Sequence, residues 1–258
     1  MRFWLRVKDV TLAAGLALAM VAPSASRAQG NVDADARGVL SAMSAYLGGL
    51  RSFSVNYEAV DEVITTEGQK LQFIHSGNLL VQRPNRLHAV RQGAGGTADV
   101  VLDGQAVALS ARGGNAYLRL PAASIEAAVE AVQRLGFDVP AADLLADQPL
   151  AGATTDVTSG VHVGMTFIGG AEVHQLAFRG AEVDWQIWVT TGDRPLPVRF
   201  VITSKTVAGG PQYTLELRNW NAAPAVDAAR FTFTPPAGAR QLEPSAVTVN
   251  AIGDLVIR

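Results

Sequence analysis

Apolar positions along this chain change their period several times, and each change marks an element. Over residues 33–50, Val39, Met43, Tyr46, Leu47 and Leu50 recur at steps of three and four, which predicts a helix ending at Gly48-Gly49. From Phe53 the period becomes two. Phe53, Val55, Tyr57 and Ala59 fall on one face of a strand, and Ser54, Asn56 and Glu58 on the other. A turn at Glu67-Gly68 leads into a second alternating run of Leu71, Phe73, His75, Gly77, Leu79 and Val81. Arg83-Pro84-Asn85 closes it, because proline has no N–H to give to a ladder. Residues 87–92 and 100–120 read as further short strands, divided by turns at Asp103-Gly104 and Gly113-Gly114.

Residues 121–147 interrupt the alternation. Pro121 is placed to open a helix whose stripe is Ile125, Ala128, Val129, Val132 and Leu135, with Gly136 beyond it. A second short helix is expected over 141–146. Strand periodicity returns at 162–168, 173–178, 184–191, 197–206 and 213–219. Trp185 and Ile187 share a face there, opposite Trp188, so the two tryptophans cannot join one core. A helix, a meander, two helices and a second meander make an α+β protein, with helices against one side of a large antiparallel sheet. No linker, composition break or internal repeat divides residues 29–258, which predicts one domain.

The first 28 residues stand apart. Arg2, Arg6 and Lys8 precede an uncharged run, VTLAAGLALAMVA, and then small residues up to Ser26-Arg27-Ala28. A basic start, a short apolar segment and small residues at −3 and −1 are the parts of a secretory signal peptide, cleaved after Ala28. The run falls short of the ~20 apolar residues that span a bilayer. Cleavage would take four of the 21 basic and one of the 23 acidic residues, leaving 17 and 22, a net charge of −5 on 230 residues. We therefore expect an exported, periplasmic protein that does not span the membrane.

Composition narrows the chemistry. With 48% hydrophobic residues the chain is not of the disordered class, and its acidic balance gives no footprint for nucleic acid. The absence of cysteine excludes disulfides, thiolate metal sites, a cysteine nucleophile and the lipid anchor of bacterial lipoproteins. No metalloprotease, serine-hydrolase, phosphate-loop or dinucleotide motif is present. His162 and His174 would meet if their strands were neighbours, and a nearby carboxylate could then complete a metal site; half-buried strand positions are the simpler reading. Asp33 and Asp35 at a helix start are read as capping and dipole groups. No cofactor, metal or catalytic residue is expected.

Two stretches carry a family resemblance. The first holds LRSFSVNYEAV, GQKLQFIHSGNLLVQRPNRLHAV and VLDGQAVAL; the second is VDAARFTFTPPAGARQL, residues 226–242. Ser52-Phe53, Gly77 with Leu79, Arg83-Pro84-Asn85, Asp103-Gly104, and Asp227 with Phe231, Phe233, Pro235, Pro236 and Gly238 stand in the order and spacing of the LolA/LolB-like superfamily of periplasmic lipoprotein carriers. The resemblance implies a strongly curved, incomplete antiparallel barrel with helices over its concave face. It also implies a cavity for the acyl chains of outer-membrane lipoproteins, a part in outer-membrane biogenesis, and lipoprotein-sorting components of the two membranes as partners. Arg83 matches the position that hydrogen-bonds the lid closed. Taken from the apolar strand faces and the lid helix, the candidate cavity residues are Phe53, Val55, Tyr57, Phe73, Leu79, Ile125, Val129, Val132, Trp185, Ile187, Phe200 and Leu215.

The chain departs from the carriers in two places. The hairpin after Asp103-Gly104 reads QAVALSARGGNAYLRL, without their aromatic residues, and a tail from about residue 243, AVTVNAIGDLVI, could add a strand. These departures resemble a separate periplasmic branch, and the missing cysteine sets it apart from the anchored LolB-type receptor. Because fold does not fix function, two expectations stand. The first is a hydrophobic-ligand or acyl-chain carrier without catalysis. The alternative is an envelope-stress sensing or regulatory module that binds a protein partner through the same fold.

Overall fold

The computed structural model describes residues 31–249, other than 113, 138, 140 and 151, together with 255–257. The signal segment and Gly113 of the Gly113-Gly114 turn lie outside the described residues. A short strand β1 (Asn31–Val32) leads into helix α1 (Ala34–Gly49). Asp33 caps that helix, its Oδ1 accepting from the Ala36 amide at 2.6 Å. The first meander comprises β2 (Ser52–Ile64), β3 (Lys70–Gln82), β4 (Arg86–Gly93), β5 (Gly96–Leu102), β6 (Ala106–Ala111) and β7 (Ala116–Pro121). Helix α2 (Ile125–Arg134) follows, and then the second meander: β8 (Val157–Ile168), β9 (Ala171–Gly180), β10 (Val183–Thr190), β11 (Pro197–Ser204) and β12 (Gln212–Asn221). Three short strands finish the chain, β13 (Arg240–Gln241), β14 (Val247–Val249) and β15 (Leu255–Ile257).

Thirteen strands form one open sheet in the order β1-β8-β9-β10-β11-β12-β2-β3-β4-β5-β6-β7-β13. The junction of β12 with β2 joins the two meanders back to front, so the middle of the sheet is built by residues about 150 apart in sequence. Pairing is antiparallel apart from the two-residue contacts of β1 with β8 and β13 with β7. The large antiparallel sheet agrees with the sequence expectation, as do two of the three expected helices, and the sheet does not close.

Two expectations need correction. Pro121 ends β7 rather than opening a helix; Ser124 is the cap, its hydroxyl accepting from the Ala127 amide at 3.1 Å. The helix expected over 141–146 is a single 3-10 turn, Ala142–Leu144. Six residues are too few to repay helix nucleation on their own. In the tail, the described residues form β14 and β15, which pair with each other.

Register explains the core. The row Phe53, Val81, Leu87, Leu102, Val107 and Leu120 crosses six strands, each residue paired with the next. All six are buried, and they share one apolar cluster with Leu40, Met43 and Leu47 of α1 and Ile125 of α2. On the opposite face, Phe231, only 2% exposed, sits in a 3-10 turn against β4. Asp227 caps that turn through its contact with the Ala229 amide at 2.9 Å. The chain then runs on to β7, where Arg240 and Leu242 donate backbone bonds to Asn115 and Tyr117. The Asp227–Leu242 segment is thus a strap across the sheet. Phe231→Ala should cost about 3–5 kcal/mol in denaturant unfolding; a loss below about 1 kcal/mol would show that the strap contributes little to the fold.

Candidate functional site

On the helix side of β2–β7 lies a cavity of about 580 Å³. Its floor is a second pairing row, one step along the strands from the buried one: Val55, Leu79, Ala89, Val100, Leu109 and Leu118. Ile125, Ala128, Val129 and Val132 of α2, with Phe137, Leu144 and Leu145 after it, line the other side. The α2 stripe is set by its three- and four-residue spacing, and the positions between carry Glu126, Glu130, Gln133 and Arg134. Leu215, Leu217 and Trp220 of β12 complete one flank.

Of the twelve residues expected to form a cavity, eight line this one: Phe53, Val55, Tyr57, Leu79, Ile125, Val129, Val132 and Leu215. Trp185, Ile187 and Phe200 do not. They share the sheet face but sit on β10 and β11, where the space is filled. Trp185 stacks on Phe178 at 3.9 Å between ring centroids and meets Phe200 at 5.7 Å. Phe73 lies beyond the cavity, opposite Asp61 near the β2–β3 turn. The sequence reading missed Val100, Leu109 and Leu118. They carry the same alternation as Leu79, and aligning the strands in register would have found them.

The apolar floor ends in polar groups. Tyr57 lies over Gly77, where an added Cβ would come within 3.0 Å of the ring and 1.7 Å of the Val90 carbonyl. Its hydroxyl donates to that carbonyl at 3.1 Å, and burial pushes the phenol up to about 12. Asp61 Oδ2 and His75 Nδ1 are 3.2 Å apart, and Arg91 and Tyr213 stand at the same end. Burial, with Asp61 adding to it, also raises Tyr213.

At the opposite end the Arg83-Pro84-Asn85 motif ties three segments together. Arg83 Nη1 donates to the Leu145 carbonyl at 2.5 Å and lies 3.4 Å from Asp147 Oδ1. Its guanidinium stacks over Phe53 at 5.8 Å, and burial lowers its pKa against the opposing pull of Asp147 and Glu126. The Pro84 carbonyl accepts from the Ile125 amide at 3.2 Å, at the start of α2. Asn85 packs against Gly104, whose φ of +97° suits glycine in the Asp103-Gly104 turn. The segment reached by Arg83 is held from α2 and α1 as well, through Asp147 N to Glu126 Oε1 at 3.2 Å and Ser44 Oγ to Pro149 O at 2.5 Å.

His162 and His174 do meet, with Nε2 and Nδ1 3.1 Å apart. Among the described residues no group of three or more metal-type ligands gathers there or elsewhere. Asp33 bonds the His162 backbone amide at 2.8 Å while capping α1, so this corner is a helix–strand joint. Partial burial, and then His162, lower His174 below its ordinary value of 6.5. The folded protein therefore holds this proton less well than the unfolded chain. That contribution to stability is complete above about pH 6.5 and is lost as pH falls through the lowered value. His174→Gln should flatten the fall in urea midpoint between about pH 7 and about pH 5; an unchanged profile would contradict the assignment.

A family model described as "Predicted periplasmic protein (DUF2092)" matches residues 36–243. No curated protein matches the chain in sequence. Among solved structures, LprF from Mycobacterium bovis is 16% identical with a TM-score of 0.50, covering 82% of this chain and 100% of that one. The Mycobacterium tuberculosis lipoprotein LppX is 14% identical with a TM-score of 0.50, covering 76% and 100%. A LolA superfamily protein from Nitrosomonas europaea is 14% identical with a TM-score of 0.40, covering 77% and 97%. At these identities the first two show a shared fold. Among the described residues no helix is long and apolar enough to cross a membrane. The match over most of its length makes this chain a member of the DUF2092 family of predicted periplasmic proteins.

Proposed function

We propose that the mature chain is a periplasmic carrier or binding protein for a hydrophobic ligand, such as a lipid or a lipoprotein acyl chain, and performs no chemistry. The observation that carries this reading is the 580 Å³ cavity, whose floor is an unbroken row of apolar residues across six strands. Its size falls in the range of small-molecule sites, about 300–1,000 Å³. An acyl chain entering it gains ~0.8 kcal/mol for each methylene taken from water, enough for transport through an aqueous compartment. In this reading α2 and the segment after it cover the concave side of the sheet as a lid, and Arg83 holds that lid through Leu145 and Asp147. A latch made of hydrogen bonds at one edge suits a cover that must open.

A second reading, a regulatory module that binds a protein, is favoured by β8. Among the described residues its outer edge pairs only at Ser159 and Gly160, and beyond them Val163, Met165 and Phe167 are 55%, 45% and 69% exposed. Unpaired edges of this kind take up strands from other chains. Native purification followed by organic extraction and mass spectrometry separates the two readings. The carrier reading expects a lipid in the extract and saturable binding of a fluorescent fatty acid. Recovery of a protein partner, with no lipid and no fatty-acid binding, would replace it with the second. Arg83→Met should speed exchange of the bound fatty acid severalfold in stopped-flow displacement. An unchanged rate would leave Arg83 as a purely structural residue.

A further inference from the structure

His162 and His174 stand at the β8 end of the sheet, outside the cavity lining, and the carrier reading gives them no task. The ladder between their strands shifts at this point. Before the shift His162 pairs with Leu176; after it Gly164 pairs with Gln175 and Met165 with His174. Leu176 and His174 are two apart on β9, so His162, Met165 and His174 all project from one side of the sheet. In a regular strand, residues 162 and 165 would point to opposite sides. The extra residue, Val163, brings them to the same one, as bulges do where a side chain is re-aimed. Gly164, at the shift, has a φ of +143°, which suits glycine. The bulge thus adds a thioether to the two imidazoles, a neighbour that strict alternation would place on the far face.

The distances suit an ion. His162 Nε2 and His174 Nδ1 are 3.1 Å apart. Two nitrogens at that separation, each about 2.05 Å from one metal, subtend about 98° at it, between the square and tetrahedral angles. The proton now held between them moves to the far nitrogen of its own ring, which frees both lone pairs without a change of charge. Met165 is 45% exposed and directly opposite His174, where paired Cβ atoms lie about 4.5–5.5 Å apart. An unbranched side chain with three rotatable bonds spans that gap. Two carboxylates favour a cation here. Asp33 Oδ2 accepts from the His162 amide at 2.8 Å, and Glu172 lies two residues from His174 on the same face of β9. Asp33 engages the Ala36 and His162 amides with its two oxygens, so it fixes the corner and leaves coordination to the other side chains. Imidazole alone suits several transition metals, whereas a thioether selects monovalent copper.

We propose that His162, Met165 and His174 form a copper site, two imidazoles and one thioether, selective for the monovalent ion. The site is separate from the lipid cavity and stands or falls independently of the carrier reading. The test is anaerobic titration of the mature protein with Cu(I) in competition with bicinchoninate, with Zn(II) titrated in parallel. The unaltered protein should withdraw one Cu(I) per chain from the chelator. X-ray absorption of that complex should show nitrogen at about 2.0 Å and sulfur at about 2.3 Å from the metal. Met165→Leu, at an exposed position, should remove the sulfur signal, weaken Cu(I) binding at least about tenfold and leave Zn(II) binding within about twofold. His162→Gln and His174→Gln should each abolish the stoichiometric uptake of copper. Failure of the unaltered protein to take Cu(I) from the chelator, a copper complex without sulfur, or equal losses of copper and zinc in Met165→Leu would overturn the site. The sulfur signal is read in the unaltered protein, so it decides the matter even if a histidine variant fails to fold.

Discussion

Strand pairing in β2 sets the rest of the molecule. Its floor-side residues, Phe53 to Asp61, are matched on one flank by β3 and on the other by β12, so two meanders distant in sequence become one sheet with one continuous apolar face. A one-residue slip in either pairing would turn every such side chain to the opposite face. Among the described residues, the α-helices that add side chains to the apolar cluster on that face are α1 and α2, with 16 and 10 residues. At 1.5 Å per residue they reach about 24 and about 15 Å. Trp185, Ile187 and Phe200 belong to the same buried cluster as Leu40, Met43 and Leu47 and are not among the residues that line the cavity. Where α2 faces the Val55–Leu118 row, space remains.

The family-type motifs acquire physical reasons in this frame. Arg83-Pro84-Asn85 sits where β3 ends, α2 begins and the Asp103-Gly104 turn comes close, and each of its residues touches a different one of the neighbouring segments. The phenylalanine-rich ending is a strap: Phe231 fills the far face of the sheet, Phe233 meets Tyr117 at 5.3 Å, and Leu242 reaches the cavity wall. The first motif holds one end of the trough and the second its β7 side, leaving the floor to generic apolar residues.

Much of this was legible in the sequence, and the failures are instructive. Alternation located the long strands because each buries one face, and the α2 stripe identified the residues that meet the cavity. Parity, however, says which face a residue joins and nothing about its place across the sheet. Trp185, Ile187 and Phe200 were therefore grouped with the cavity although they fill the core of β10 and β11. The pairing of β12 with β2, which decides that division, is set by tertiary packing between segments 150 residues apart. Pro121 misled because its fixed φ suits the end of a strand as well as a helix start. Arg91 and the polar end were hidden because strands must be aligned in register before Tyr57, Gly77 and Arg91 become neighbours.

The central claim is that an apolar chain occupies the trough beneath α2. Photo-crosslinking with a fatty acid bearing a diazirine near its methyl end, followed by peptide mapping, tests it most directly. Labels should fall on the Val55–Leu118 row and on Val129 or Val132 of α2, and excess unlabelled fatty acid should abolish them. Labelling confined to the exposed β8 residues Val163, Met165 and Phe167, or labelling that no competitor reduces, would contradict it.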